Sequence, residues 1–431
     1  MPVNSYIKYL FRSVQHYGFR CRKDINTKGF SFQQKMIFLF GFDSIKIVFY
    51  LLEAGSCCPL YLFFVPQKRM PLPSGLRVVR HSLVKSEVLI KEPKPKTHNL
   101  TPNTKKMKNI AIIMGGYSSE YEISLKSGNV VYEFLDKTKY NGFCVHIFNE
   151  KWVYVDEQAN EFQIDRNDFS VTKDGTKITF DAVFNAIHGT PGEDGLMQAY
   201  FELLQIPQTS CDYYQAALTF NKRDLLSVLK PYGIKTATSY YLNKGDTINT
   251  NDIVSKVGLP CFVKPNKSGS SFGISKVKSV DELPAAIEVA YKEDNEIIIE
   301  SFLDGTEVSV GVINYKGEIT VLPITEIVSE NDFFDYEAKY LGKSQEITPA
   351  RISDEMTKKV NEVSKRAYEV LKIKGFSRSE FIIVDGEPHM LEMNTIPGLT
   401  KESLIPQQAK AAGISLEDLF TNAIELALND K

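Results

Sequence analysis

What these 431 residues lack narrows what the chain can be. Three of the six cysteines lie early in the chain (Cys21, Cys57, Cys58) and three are widely spaced later (Cys144, Cys211, Cys261), with no metal-ligand spacing, which fits a reducing compartment. No internal repeat or low-complexity tract occurs, so collagenous, fibrous and disordered readings drop out. The stretch from Lys35 to Pro66 is rich in Phe, Ile, Leu and Tyr, but Asp43, Lys46 and Glu53 interrupt it. No unbroken run there approaches the roughly 20 apolar residues a spanning helix needs. The first 30 residues do not follow the order of a basic region, a short apolar stretch and a small-residue cleavage site, so export is not expected.

What is present is ordinary globular composition, 43% hydrophobic and 24% charged, in a chain long enough for two or three domains. The net charge of -2 conceals a split: residues 1–106 carry 18 Lys+Arg against 5 Asp+Glu, and the remainder carries 33 against 48. Such asymmetry means either a basic arm on an acidic body or two stretches of unrelated history. Residues 1–106 sustain neither helical nor strand periodicity and end in a basic, Pro-containing linker, Lys91 to Lys106. They read as a poorly structured upstream extension that arises from a misplaced start codon; a membrane-surface arm or a small appended fold is the alternative. Immediately afterwards, Met107 precedes KNIAIIMGG, a buried first strand running into a Gly turn.

Beyond Met107, apolar runs at Ile110 to Met114, Phe143 to Phe148 and Asp181 to Gly189 alternate with a helical pattern, a βαβ rhythm. Around Pro260 the texture changes to short strands and tight turns, through Val277 and again from Glu296 to Ile313, implying antiparallel hairpins. A helix is expected from Asp354 to Lys372, then two strands, then a closing helix from Ser415 to Ala427. The expected organisation is three α/β lobes over 107–210, 211–302 and 303–431.

Two patterns carry chemistry. In KSGSSFG (Lys267 to Gly273), small residues between strands let backbone N–H groups close around phosphate oxygens. A plain Gly/Ser turn explains the loop equally well until Lys264 is considered, because a lysine in the preceding strand reaches the same phosphates. Arg378 and Glu380 share one face of a strand, as do Glu392 and Asn394 on the next. The intervening VDGE turn suits a hairpin that brings the pairs together. Oxygen ligands of this kind suit Mg²⁺ on nucleotide phosphates; solvated surface charge is the alternative.

From Met107 onward the chain resembles the D-alanine:D-alanine ligases of the ATP-grasp superfamily. The resemblance rests on the order of GGYSSEYEIS (from Gly115), AIHGTPGEDG (from Ala186), VKPNKSGSSFG (from Val263), DYEAKY (from Asp335) and LEMNTIPGLTKESLIP (from Leu391). It implies a three-lobed ATP-grasp fold whose N-terminal domain is Rossmann-like. The implied activity is ligation of two D-alanines through a D-alanyl phosphate, giving ADP, phosphate and a peptidoglycan precursor in the cytoplasm. The implied cofactors are ATP and two Mg²⁺ ions, a role Mn²⁺ could also fill; the implied assembly is a homodimer, with neither nucleic acid nor membrane as partner.

By the same resemblance, Lys222 and Lys264 meet the ATP phosphates, Glu300 the adenine amino group and Glu307 the ribose, while Phe302 and Leu303 line the adenine slot. Glu380, Glu392 and Asn394 hold the metals, although the family's first ligand is Asp and this chain has Glu380, one methylene longer. Ser301 stands where some relatives place a Lys. Glu120 binds the ammonium of the first D-alanine with His188 nearby, and Glu120, Ser270 and Tyr340 tie the lobes together. Lys339 and Tyr340 lie on a lid at 330–345, with Lys339 offsetting phosphoryl charge. Arg378 and the Gly398 N–H stabilise the tetrahedral oxyanion, and Ser403 and Leu404 position the second D-alanine. Tyr340 favours an amine over D-lactate as second nucleophile. A D-lactate or D-serine ligase, and an inactive ATP-binding regulatory module, are the alternatives.

Overall fold

The computed structural model describes residues 107–269, 271–329 and 344–429, and the basic extension of residues 1–106 lies outside them. The first lobe is built on strand β1 (Lys108–Gly115), which pairs in parallel with β2 (Tyr140–Ile147) and β7 (Ala182–Asn185). Helix α1 (Tyr121–Glu133) connects β1 to β2. Ile110 through Met114 are all fully buried, the continuous apolar run of a parallel strand covered on both faces. The expected βαβ rhythm describes only this half. The sheet continues outward through four short antiparallel strands, β3 (Trp152–Val155), β4 (Glu161–Asp165), β5 (Ser170–Lys173) and β6 (Thr176–Ile178). Helix α2 (Leu196–Leu204) follows β7.

Next come α3 (Tyr213–Phe220), α4 (Lys222–Leu229) and the short β8 (Lys235–Thr236). They were expected to open the central lobe. Instead Leu225, Leu226, Leu229 and Ile234 pack with Val308, Val310 and Phe381, and β8 extends the C-terminal sheet beside β18 (Glu387–Asn394). The apolar stripe of α4 is the reason, since Leu225, Leu226 and Leu229 are fully buried in that core.

The central lobe is a four-stranded antiparallel sheet in the order β11-β10-β12-β9, comprising β9 (Ser239–Asn243), β10 (Cys261–Pro265), β11 (Ser275–Val277) and β12 (Glu296–Ser301). Helices α5 (Thr250–Val257) and α6 (Leu283–Ala290) complete it. The β10–β11 hairpin expected around the glycine loop is present. The run from Glu296 to Ile313 is not a hairpin. Its two strands, β12 and β13 (Thr306–Tyr315), belong to different sheets, because Ile297 and Ile299 face the central core while Val308, Val310 and Val312 face the C-terminal one.

The C-terminal sheet runs β16-β15-β13-β17-β18-β8, with β14 (Glu318–Val321) attached to β13. It contains β15 (Thr325–Ser329), β16 (Ser344–Ile347) and β17 (Phe376–Val384) and is flanked by α7 (Asp354–Val370), α8 (Leu404–Ala411) and α9 (Leu416–Asn429). The expected β17–β18 hairpin is present, and its turn residues Asp385 and Gly386 both have positive φ, 50° and 74°, as a two-residue turn matched to strand twist requires. Leu419, Phe420 and Ile424 of α9 are fully buried against Ile110, Ile112 and Met114 of β1, so the first and last lobes share one core. Each such side chain contributes about 1.5–3 kcal/mol.

Candidate active site

Two adjoining cavities lie where the lobes meet. The larger, about 410 Å³, has Glu120 and His188 from the first lobe on one side, and Arg378, Gly398, Ser403 and Leu404 from the last on the other. The smaller, about 100 Å³, is lined by Lys264, Glu300, Leu303 and Glu307. Lys222, Glu380 and Glu392 line both, so the cavities share a charged wall.

That wall follows from local structure. Asn221 caps α4 by accepting the Asp224 N–H, which makes Lys222 the first helical residue. Its Nζ donates to the Ser268 carbonyl at 2.9 Å and pairs with Glu392 Oε2 at 3.0 Å, tying the glycine loop to β18. Across the β17–β18 ladder Glu380 faces Glu392 and Arg378 faces Asn394; the turn alone would set Glu380 opposite Leu391, and a one-residue register shift between Glu380 and Phe381 brings the two pairs together. Arg378 holds Glu380 by a 2.8 Å ion pair, and the Asn394 amide oxygen accepts the Ile396 N–H at 2.8 Å. The three residues expected to hold Mg²⁺ are thus hard oxygen donors on adjacent strands, and the donor set fits that ion.

In the smaller cavity Lys264 pairs with Glu300 at 3.0 Å, with side chains only 13% and 3% exposed. Burial pushes the Lys264 ammonium down, but Glu300, Glu392 and Glu307 together hold it above the ordinary lysine range. The second carboxylate oxygen of Glu300, Oε1, is buried without a hydrogen-bond partner among the described residues. An exocyclic amine would satisfy that acceptor. Phe302 does not line this cavity; its N–H is spent on the Pro260 carbonyl at 3.2 Å and its ring carries Lys276 above it.

On the other side, Glu120 closes against the glycine loop: a Cβ on Gly269 would stand 2.7 Å from Glu120 Oε1, so a larger residue there would push the carboxylate aside. A Cβ on Gly398 would stand 2.7 Å from Ser403 Oγ, a similar close approach. Ser403 occupies the N-cap position of α8, yet its hydroxyl makes no capping bond and pairs with Thr400 Oγ1 at 2.8 Å. His188 lines the larger cavity with both ring nitrogens engaged, to Ser127 Oγ and to the Ile396 carbonyl, each at 2.9 Å. Ser270, Lys339, Tyr340 and residues 330–343 of the expected lid lie outside the described residues.

A D-ala D-ala ligase N-terminus family model matches residues 109–211, and a D-ala D-ala ligase C-terminus model matches residues 228–425. The chain belongs to the D-alanine–D-alanine ligase family. The ligase of Flavobacterium johnsoniae is 87% identical over 322 residues, 75% of this chain and 100% of that protein. That of Christiangramia forsetii is 63% identical over 75% of this chain and 99% of its own. Among solved structures, the VanG D-Ala:D-Ser ligase from Enterococcus faecalis is 32% identical with a TM-score of 0.67, over 75% of this chain and 100% of that one. The Bacillus anthracis D-alanine–D-alanine ligase complexed with ATP is 29% identical with a TM-score of 0.60, over 74% and 97%. The ATP-grasp ligase architecture is shared with these structures.

Three groups in the ligase site escaped sequence reasoning. Glu193 lines the larger cavity; its Oε1 has no hydrogen-bond partner among the described residues, and burial, then Glu120, push its carboxyl well above the ordinary range. Glu346 also lines it, raised by burial although the Gln407 amide donates to it at 2.8 Å. Ser127 sits one helical turn beyond Ile123 and is fully buried. Glu193 lies within AIHGTPGEDG, so its motif was visible; a serine inside an amphipathic helix and a glutamate on a short strand carry no such signal.

Proposed function

We propose that this protein joins two D-alanines with ATP to make D-alanyl-D-alanine, ADP and phosphate, for peptidoglycan precursor synthesis in the cytoplasm. The shared wall of Lys222, Glu380 and Glu392 supports the reading, because it sets a cation and two carboxylates between the smaller cavity and the larger one. The naming of relatives at 87% and 63% identity as D-alanine–D-alanine ligases supports this product over a depsipeptide or D-alanyl-D-serine.

In this reading the first D-alanine carboxylate, its ammonium bound by Glu120, attacks the γ-phosphate and forms D-alanyl phosphate. The amine of the second D-alanine, held by Ser403 and the Leu404 backbone, then attacks the carbonyl and expels phosphate. The Arg378 guanidinium and the Gly398 N–H stabilise the oxyanion. Glu300 and Leu303 receive adenine, Glu307 receives ribose, and Lys222, Lys264 and Lys339 receive phosphates, with Ser270 and Tyr340 joining Glu120. Glu380, Glu392 and Asn394 would hold Mg²⁺, which supplies electrostatic neutralisation of the phosphates. The ion pairs Lys222–Glu392 and Lys264–Glu300 then exchange partners, the lysines taking nucleotide oxygens or neighbouring acceptors. Exposed Leu203, Tyr213 and Tyr214 on the neighbouring helices α2 and α3 favour a homodimer, which light scattering would measure.

The test is a coupled ADP-release assay with D-alanine, D-lactate and D-serine supplied singly and in competition at several pH values. ADP release that requires D-alanine, with the dipeptide as main product, is expected. Turnover without D-alanine, or a depsipeptide as main product at neutral pH, would reject the reading.

A further inference from the structure

The turn Ile396-Pro397-Gly398-Leu399 is gripped from the first lobe at both ends. Leu399 donates its N–H to Ser127 Oγ at 3.2 Å, and Ser127 Oγ meets His188 Nε2 at 2.9 Å. His188 Nδ1 meets the Ile396 carbonyl at 2.9 Å. Donor and acceptor inventories leave one assignment. A carbonyl only accepts, so Nδ1 carries the proton and donates. Burial holds the imidazole below its ordinary range despite the nearby Glu120, so the ring is neutral and Nε2 accepts. The Ser127 hydroxyl therefore donates to Nε2 while its oxygen accepts from Leu399.

Three consecutive hydrogen bonds thus run from one end of the turn to the other through two side chains that are 0% and 5% exposed. Asn394 takes the Ile396 N–H at 2.8 Å, so both polar backbone groups of Ile396 are fixed. Gly398 lies between the two anchored residues. Backbone N–H groups stabilise developing charge only when held in place before reaction.

We propose that Ser127 and His188 are positioning residues for amide formation, aligning the Gly398 N–H through the Leu399 N–H and the Ile396 carbonyl. This rests on the reading of Gly398 as an oxyanion donor. Negative charge builds on the oxygen that meets this donor only in amide formation and not in phosphoryl transfer, so the two half-reactions respond differently to loss of the Ser127 hydroxyl.

The experiment compares the full-length protein with Ser127→Ala, His188→Asn and the double variant. Dipeptide formation is measured beside D-alanine-dependent scrambling of ¹⁸O between the βγ-bridging and non-bridging positions of ATP, which reports reversible phosphoryl transfer. For Ser127→Ala, kcat for dipeptide falls roughly 10- to 100-fold, as a misplacement of about 1 Å does. Scrambling stays within about twofold of wild type, and ADP release exceeds dipeptide as uncaptured acyl phosphate hydrolyses. His188→Asn retains a donor toward Ile396 but severs Ser127, and its loss in dipeptide formation does not multiply with that of Ser127→Ala, because one chain of bonds is cut twice. Equal losses in both half-reactions, multiplying losses, or unchanged partition in Ser127→Ala would overturn the inference. Absence of D-alanine-dependent scrambling in wild type would instead overturn the functional reading.

Discussion

Glu380 and Glu392 face each other directly across the β17–β18 ladder, each held by its own cation, Arg378 at 2.8 Å and Lys222 at 3.0 Å. Like charges opposed across strands are destabilising unless compensated. A divalent cation between them should raise the thermal midpoint in the presence of ADP. Glu392→Gln should weaken the apparent affinity for Mg²⁺ by at least about tenfold. An Mg²⁺ titration of activity measures this, and an unchanged midpoint would remove Glu392 from the metal site.

The buried Lys264–Glu300 pair predicts a sharper asymmetry. Glu300→Ala leaves the ammonium without its nearest carboxylate and should cost about 3–5 kcal/mol in urea unfolding. Combining it with Lys264→Met should recover most of that loss but not ATP binding, so stability and nucleotide protection separate. Recovery of both in the double variant would show that neither side chain meets the nucleotide.

Arg378 faces the larger cavity while holding Glu380. Arg378→Ala should lower kcat by about 10²–10³-fold if the guanidinium stabilises the oxyanion. Arg378→Lys keeps the charge but not the planar fork and should fall between the two. A change in KM for ATP alone would assign the residue elsewhere.

Glu193 gives stability a defined pH dependence. Its native carboxyl is held well above the ordinary range by burial and Glu120, so the native state keeps a proton that the unfolded chain releases. Between the unfolded and native titrations, stability therefore falls as pH rises, by up to about 1.4 kcal/mol per pH unit. Below the ordinary carboxyl range both states are protonated and the cost vanishes. Glu193→Gln does not titrate, so its thermal midpoint relative to wild type should climb as pH rises above the ordinary carboxyl range. A difference independent of pH would mean that native Glu193 titrates normally.

Much of the candidate site was legible because its residues sit on strands, where a spacing of two fixes the face. Arg378 with Glu380, and Glu392 with Asn394, each share a strand face by that spacing, but the bulge that sets Glu380 opposite Glu392 rather than Leu391 has no signal in the VDGE turn. Lobe membership was less legible. Both sides of the β12–β13 junction read as strand, and nothing local says that the chain changes sheets between Ser301 and Thr306. The leucines of α4 announce a buried stripe but not the core that receives it. The role of Ser127 depends on groups 61 and 272 residues away, a relation no window of sequence contains.

The core shared by β1 and α9 has a consequence for how the protein is made. Ile110, Ile112 and Met114 emerge from the ribosome about 300 residues ahead of Phe420 and Ile424, which cover them. During synthesis helix α1 covers part of that face early, but the part that α9 covers waits for the last helix, so its completion is a contact of very high order. Completion of this lobe is therefore post-translational, and until then its apolar strand surface is exposed to association with other chains.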